Sequence, residues 1–300
     1  MPEMPDTENA TPVATLLTDW DLFHRWEWFR RARWKAGFRA TVGGRGGGLV
    51  RAVADLARQV DAGVLLDASC GIGRRVVMLA EKGLNIVGSD ASGVGIRFAT
   101  EFARDENVDA SFFRSAWAEL PKNIPHQFDG ILAPGLALEP RWDDLGAAFV
   151  GLFHSLRPGG FLMFTGPGES DPEDLGRRRL LEEWNQSPRE TVEWLHRDGR
   201  LTCCLVKQKV LAADFMDDRL LYASDEDGET RLEVTTIRRP GYWAWRHWRD
   251  LTRMAGFCHL ETRRFDGYAP DGGVLTVNVA WKAKSDDAPD DAARVRPYEN

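Results

Sequence analysis

The spacing of apolar residues changes along the chain. From 49 to 60 the apolar positions are 49, 50, 53, 56, 57 and 60, and that period predicts a helix. Short apolar runs then alternate with helical stretches. Val64-Leu65-Leu66 predicts a buried strand ending in Asp67 and a glycine-rich turn, followed by a helix over 74–81. Ile86 to Asp90 predicts a second strand, with a helix over 95–104. Phe128 to Leu132 predicts a third strand, with a helix over 145–156. Arg157-Pro158-Gly159-Gly160 reads as a turn, and Phe161 to Phe164 as a strand. Strands alternating with helices of roughly ten residues predict an α/β fold, a doubly wound, mostly parallel sheet covered on both faces.

Outside this region the pattern differs. Residues 1–14 are polar and rich in Pro and Glu, the composition of a disordered N-terminus. Residues 15–48 read as a helical cover with a hinge or ligand-facing loop, Gly43-Gly44-Arg45-Gly46-Gly47-Gly48. The core runs over 49–170. From 171 to 198 the chain reads as helical and charged. From 201 to 237 it carries β-like runs around the acidic turn Ser224-Asp225-Glu226-Asp227-Gly228, which places an antiparallel insert or lid over 171–240. A helix over 243–254 and a hairpin of 257–265 with 274–281 close the core within 241–284, and 285–300 reads as a disordered tail.

Length and composition bound the function. The 300 residues, 43% hydrophobic, can bury one large core. No run of about 18 apolar residues occurs, and Met1 to Thr18 lacks a basic start before an apolar run, so a cytoplasmic protein without membrane contact is expected. The net charge of −7 argues against binding nucleic acid; Arg177-Arg178-Arg179 reads as a solvated helix face. Cys70, Cys203, Cys204 and Cys258 show no metal-ligand spacing and read as reduced, buried thiols. Twelve tryptophans supply core anchors and, at some positions, a ligand wall.

The strongest chemical signal is Val64 to Gly73. A buried strand runs into a turn in which Gly71 and Gly73 let the backbone approach a ligand that side chains would block. The helix after it opens with free N–H groups. Asp90 ends the next strand, 19 residues after Gly71, where a carboxylate can accept hydrogen bonds from both ribose hydroxyls of an adenosine ligand; the competing reading is a cap for the following helix. A dinucleotide fingerprint requires a third glycine at position 76, and Val76 stands there, which counts against a nicotinamide-dependent oxidoreductase.

These segments resemble class I S-adenosylmethionine-dependent methyltransferases, a seven-stranded Rossmann-like family. Asp67 to Gly73 looks like their first motif and Gly88 to Ser92 like their second. Ser115 to Leu120 resembles the segment along the adenine, and Phe128 to Ala133 and Leu156 to Gly160 the fourth and fifth strand regions. Within that superfamily the likeness is nearest to glycine N-methyltransferases and their small-molecule relatives, from about residue 20 to 284. The resemblance implies S-adenosylmethionine as cofactor. It implies that Asp67 and Ser69 bind the cofactor, and places the Gly71–Gly73 turn by its methionine part, Asp90 on the ribose, Ala91 by the adenine, Trp117 with the Ala116 backbone flanking the adenine, and Ala133 beside the sulfonium. It also implies that Arg45 pairs with the cofactor carboxylate and that the chain forms a homo-oligomer. Two departures set glycine aside as substrate. The strand-five arginine is replaced by Thr165-Gly166-Pro167-Gly168, and the Asn-Ser pair after strand four by Leu136-Ala137.

A sulfonium is already activated, so positioning can supply most of the acceleration, about 7–11 kcal/mol in favourable systems. The six histidines show no catalytic or metal arrangement; His154 is placed on an outer helix face and His126 in a loop. Candidates for the acceptor wall are Trp20, Trp26, Tyr242 and Trp243, with ordinary aromatic packing as the competing reading. The expected function is methyl transfer to a small molecule at nitrogen. The alternatives are an O- or C-methyltransferase of a natural-product pathway and a non-catalytic, cofactor-binding regulatory protein.

Overall fold

The computed structural model describes residues 19–34, 45–124, 128–197, 201–226, 228–269 and 272–284. In chain order, α1 (Trp20–Trp34) and α2 (Arg45–Gln59) precede β1 (Leu65–Asp67), α3 (Arg74–Ala80), β2 (Ile86–Asp90), α4 (Gly93–Asp105), β3 (Ser111–Arg114), β4 (Phe128–Leu132), α5 (Trp142–Ser155) and β5 (Leu156–Phe164). Then come α6 (Leu175–Gln186), the strands β6 (Glu190–Arg197), β7 (Leu201–Leu211), β8 (Phe215–Glu226) and β9 (Glu229–Pro240), then α7 (Trp245–Ala255), β10 (His259–Phe265) and β11 (Leu275–Trp281).

Seven strands form one sheet in the order β10-β11-β5-β4-β1-β2-β3. β1 pairs in parallel with β2 on one side and β4 on the other, so the strand order reverses there. That reversal opens a crevice at the carboxyl ends of β1 and β4, where open α/β sheets bind ligands. β11 pairs antiparallel with both β5 and β10 and closes the sheet as the hairpin pattern predicted.

Successive strand residues face opposite sides of the sheet, and two apolar layers result. Leu66, Ile131, Leu162 and Phe164 pack against Leu145, Phe149 and Leu152 of α5 and Trp248 and Leu251 of α7. Leu65, Leu132, Met163, Val277 and Val279 pack against Val50, Val53 and Leu56 of α2 and Val76 and Leu79 of α3.

The insert is a second, antiparallel four-stranded sheet, β6-β7-β8-β9. One face buries Cys203, Leu205, Leu220 and Tyr222 under Leu22 and Trp26 of α1. The opposite face carries the cross-strand row Val192, Val206, Leu221 and Val234 and the row Trp194, Cys204, Ala223 and Leu232. Val192, Trp194, Leu232 and Val234 there are exposed.

Several expectations change. Residues 190–197, read as helix, are strand β6, because pairing with β7 along eight positions outweighs the charged, helix-like composition. Arg157 to Gly160 is a bulge inside β5: Phe128 faces Leu156, yet Gly130 faces Phe161. Gly46, Gly47 and Gly48, read as hinge, belong to α2. At Gly48 a Cβ would stand 1.7 Å from the Tyr268 carbonyl oxygen, so the glycine serves close packing. β3 was not anticipated, because Ser111 to Arg114 is short and only half-buried. All four cysteines are free, but Cys258 is exposed and Cys204 partly so. His154 is exposed, as expected, while His126 and the termini lie outside the described residues. Among the described residues no helix is long and apolar enough to cross a membrane, and no His, Cys, Asp and Glu group could hold a metal ion.

Candidate functional site

The turn after β1 is held in shape by its own carboxylate. Asp67 is fully buried and takes a bidentate pair from Arg75, Nε to Oδ2 at 2.8 Å and Nη2 to Oδ1 at 3.2 Å. The Ser69 N–H donates to the same Oδ1 at 3.2 Å, and Arg75 also donates to the Ser69 carbonyl. Burial opposes the Arg75 charge, but Asp67 outweighs it and holds the guanidinium pKa above its ordinary value. Asp67 therefore faces the protein, and its partner Arg75 is a shaping residue that the motif reading missed.

Gly71 and Gly73 have left-handed backbones, φ +54° and +82°. The space before Gly73 is closed by Ala99, 2.9 Å from where a Cβ would stand. Asp90 points at the turn: its Oδ2 accepts the Gly71 N–H at 2.9 Å and its Oδ1 the Ser92 N–H at 2.9 Å. The cap of α4 is Ser92, whose hydroxyl accepts from the Gly95 N–H at 2.8 Å, so Asp90 is not a capping residue. Ser69 and Trp117 are tied to the same turn. The Ser69 hydroxyl accepts the Gly135 N–H, and the Trp117 indole donates to the Ala68 carbonyl at 2.6 Å. Ala91 and Ala116 are exposed beside this group, whereas Ala133 is fully buried in the core. Arg45 opens α2, and its side chain lies outside the described residues.

The N-terminal helix closes over the turn. His24 lies against Gly71, its Cε1 2.9 Å from an ideal Cβ there, and its Nε2 is 3.8 Å from Asp90 Oδ1. Its Nδ1 bonds Glu27 at 2.9 Å. Burial opposes a charge on this ring, but the Glu27 hydrogen bond and the Glu27, Asp90 and Asp21 carboxylates outweigh it and raise its pKa. Asp21 Oδ1 accepts the Ser92 hydroxyl at 2.6 Å and the Val94 N–H at 3.2 Å, docking α1 on the start of α4. Trp28 stacks on Phe98 of α4.

The four aromatic candidates separate. Trp20 stacks on His24 at the turn. Trp26 is packed edge-on against Tyr222 under the insert, a core role. Tyr242 is exposed and donates to the Pro140 carbonyl. Trp243 alone of the four lines a cavity of about 270 Å³, together with Ala137, Thr165, Gly166, Pro167 and Trp248 of the core and Leu180, Glu183 and Arg239 of the insert. One short helix links this cavity to the turn. The short helix Pro134–Leu138 touches Ser69 through Gly135 and the cavity through Ala137, and Thr165 donates to the Pro134 carbonyl. Arg179 was read only as part of a solvated helix face, and Leu180, Glu183 and Arg239 were given no site role, because nothing local marks side chains that the insert folds back onto the sheet.

Residues 65–160 match a family described as a methyltransferase domain. No curated protein matches the chain. Among solved structures, the chain is similar to the sugar N-methyltransferase KedS8 from Streptoalloteichus sp ATCC 53650, at 15% identity and a TM-score of 0.59 over 94% of this chain and 100% of that one. It is also similar to an S-adenosylmethionine-dependent methyltransferase from Clostridium acetobutylicum ATCC 824, at 13% identity and a TM-score of 0.58 over 87% and 99%. A third is CalS10 from Micromonospora echinaspora, an amino pentose methyltransferase solved with S-adenosylmethionine bound, at 15% identity and a TM-score of 0.50 over 78% and 90%.

Proposed function

We propose that the chain, whose residues 65–160 match a methyltransferase domain, is a class I S-adenosylmethionine-dependent methyltransferase that methylates a small molecule, at nitrogen, in the cavity beside the β1 turn. The observation that carries this is Asp90 Oδ2 accepting the Gly71 N–H, a carboxylate fixed against a bend with left-handed glycines at 71 and 73. The residues suit an adenosyl ligand. Each Asp90 oxygen accepts one N–H and keeps lone-pair capacity for ribose hydroxyls. Ser69, Gly71 and Gly73 offer main chain to the methionine part, and Ala91, Ala116 and Trp117 border the adenine side. Arg45 is proposed for the cofactor carboxylate. Asp67 acts through Arg75 by shaping the turn, and Ala133 supports the turn from within the core.

The fit has one condition: His24 fills the space against Gly71, so its ring turns away or α1 lifts when the cofactor enters. α1 and the insert are the cover that excludes water. The cofactor supplies an electrophilic methyl group on a sulfonium. The protein's part is to orient an acceptor whose nucleophilic atom arrives deprotonated. N-methylation is favoured by the shared fold with a sugar N-methyltransferase. The bare apolar face of the insert supports a homo-oligomer, which light scattering reads directly.

The test is transfer of labelled methyl from S-adenosylmethionine to a panel of amines, phenols and carboxylates, with calorimetry of cofactor binding. Transfer to amines supports the reading, and transfer confined to phenols or carboxylates moves the target to oxygen. Absence of both transfer and cofactor binding overturns it.

A further inference from the structure

The cavity beside the turn has an apolar floor and a wall of hydrogen-bond donors. Ala137, Pro167, Leu180, Pro240 and Trp243 supply the apolar part. Trp248 is fully buried, and its indole N–H has no partner. That nitrogen stands 2.7 Å from where a Cβ on Gly166 would be, so glycine at 166 keeps the space before it open. Arg239 Nε is likewise buried and without a partner. A buried donor left unmet is destabilising, and a ligand oxygen would satisfy it.

The charges around the cavity favour an anion. Glu183 binds Lys209 at 2.8 Å and also Arg239. Asp218 binds Arg239 at 3.2 Å and Lys207 at 2.9 Å. Arg179, exposed at the cavity rim, is a further cation. Of the charged residues that line the cavity, Arg179 and Arg239 stand against Glu183, a surplus of one positive charge, and Lys209 shares Glu183 from behind. An excess of one sign in a cleft favours ligands of the other. Glu183 is not free to take an ammonium group. Burial opposes its charge, but the Arg239 and Lys209 hydrogen bonds outweigh it and hold its carboxyl at about 2, and both its oxygens are engaged.

We propose that this cavity selects an acceptor bearing an anionic oxygen group, a carboxylate or a phosphate, held by Arg179, Arg239 and the Trp248 indole with the apolar part of the molecule against Trp243 and Leu180. This rests on the methyltransferase reading and names the acceptor class. The departure at Thr165-Gly166-Pro167 fits it: the anion site comes from the insert and α7, and the strand-five loop contributes space.

The experiment is ligand-observed NMR titration of the full chain with S-adenosylhomocysteine present. The probes are 6-aminohexanoate, hexylamine, glucosamine 6-phosphate and glucosamine. Calorimetry with S-adenosylmethionine runs in parallel. The expected result is that at least one anionic probe binds ten or more times tighter than its neutral or cationic parent, with affinity falling as salt rises. The arm that binds identifies carboxylate or phosphate. Arg179→Gln and Trp248→Phe should each weaken the anionic probe about tenfold, leaving cofactor affinity unchanged. Arg179 is exposed, so its variant tests the site even if the Trp248 variant folds poorly. Equal binding of anionic and parent probes, no binding of any probe, or an Arg179→Gln protein that binds like wild type overturns the proposal. Anion binding without cofactor binding would instead keep the anion site and remove the methyltransferase reading.

Discussion

The Arg75 to Asp67 pair makes the most quantitative demand. Arg75→Ala leaves a fully buried carboxylate with only the Ser69 N–H as partner. Removing one member of a buried ion pair costs about 3–5 kcal/mol. Arg75 keeps a quarter of its side chain exposed and Asp67 retains one hydrogen bond, which places the loss near the lower end, about 3 kcal/mol. In a domain of this size each kcal/mol lowers Tm by about 2–4 °C, so the expected drop is roughly 6–12 °C. Asp67→Asn in the Arg75→Met background should cost less than the two single changes summed, with a coupling of about 2 kcal/mol. Urea unfolding measures the free energies and calorimetric titration the cofactor affinity, which should fall as the turn loosens. An Arg75→Ala protein within about 0.5 kcal/mol of wild type would refute the assignment of Asp67 to shaping.

His24→Ala should tighten cofactor binding, measured by calorimetry, by clearing the Gly71 turn. In the wild type the raised His24 pKa makes docking of α1 strongest below the ordinary histidine value. That contribution is lost as pH rises through the raised value, so wild-type affinity should improve over that window while the variant stays flat; a flat wild-type profile contradicts it. Gly73→Ala combines φ +82° with Ala99 at 2.9 Å and should lose at least about 1–2 kcal/mol in urea unfolding; an unchanged midpoint contradicts it. Trp26→Ala removes a buried aromatic from the contact of α1 with the insert, and should cost about 3–5 kcal/mol by thermal unfolding, against the acceptor-wall alternative, in which KM rises at unchanged Tm.

Apart from the half-buried β3, the alternation of strands and helices from 49 to 164 was legible because buried parallel strands leave short apolar runs bounded by turn residues. The turn at Gly71 and the carboxylate at 90 were legible because both belong to one contiguous strand-turn-helix-strand unit. What escaped depends on contacts far apart in the chain. β6 is a strand because β7 pairs with it, Gly48 is glycine because Tyr268 passes over it, and Arg239 reaches Glu183 across 56 residues. His24 was unremarkable as a helical residue, and only the docking of α1 puts its ring on Gly71. The aromatic candidates show the same limit: composition proposes a wall, but topology sends Trp26 to the core and Trp243 to the cavity.

The most direct measurement is calorimetric titration of S-adenosylmethionine into wild type and Asp90→Ala, with Tm recorded for both. The wild type should bind one cofactor per chain. The variant should bind at least tenfold more weakly, since a charged hydrogen-bond acceptor contributes about 1.5–3 kcal/mol. Equal affinity in two equally folded proteins would place the cofactor elsewhere and contradict the account.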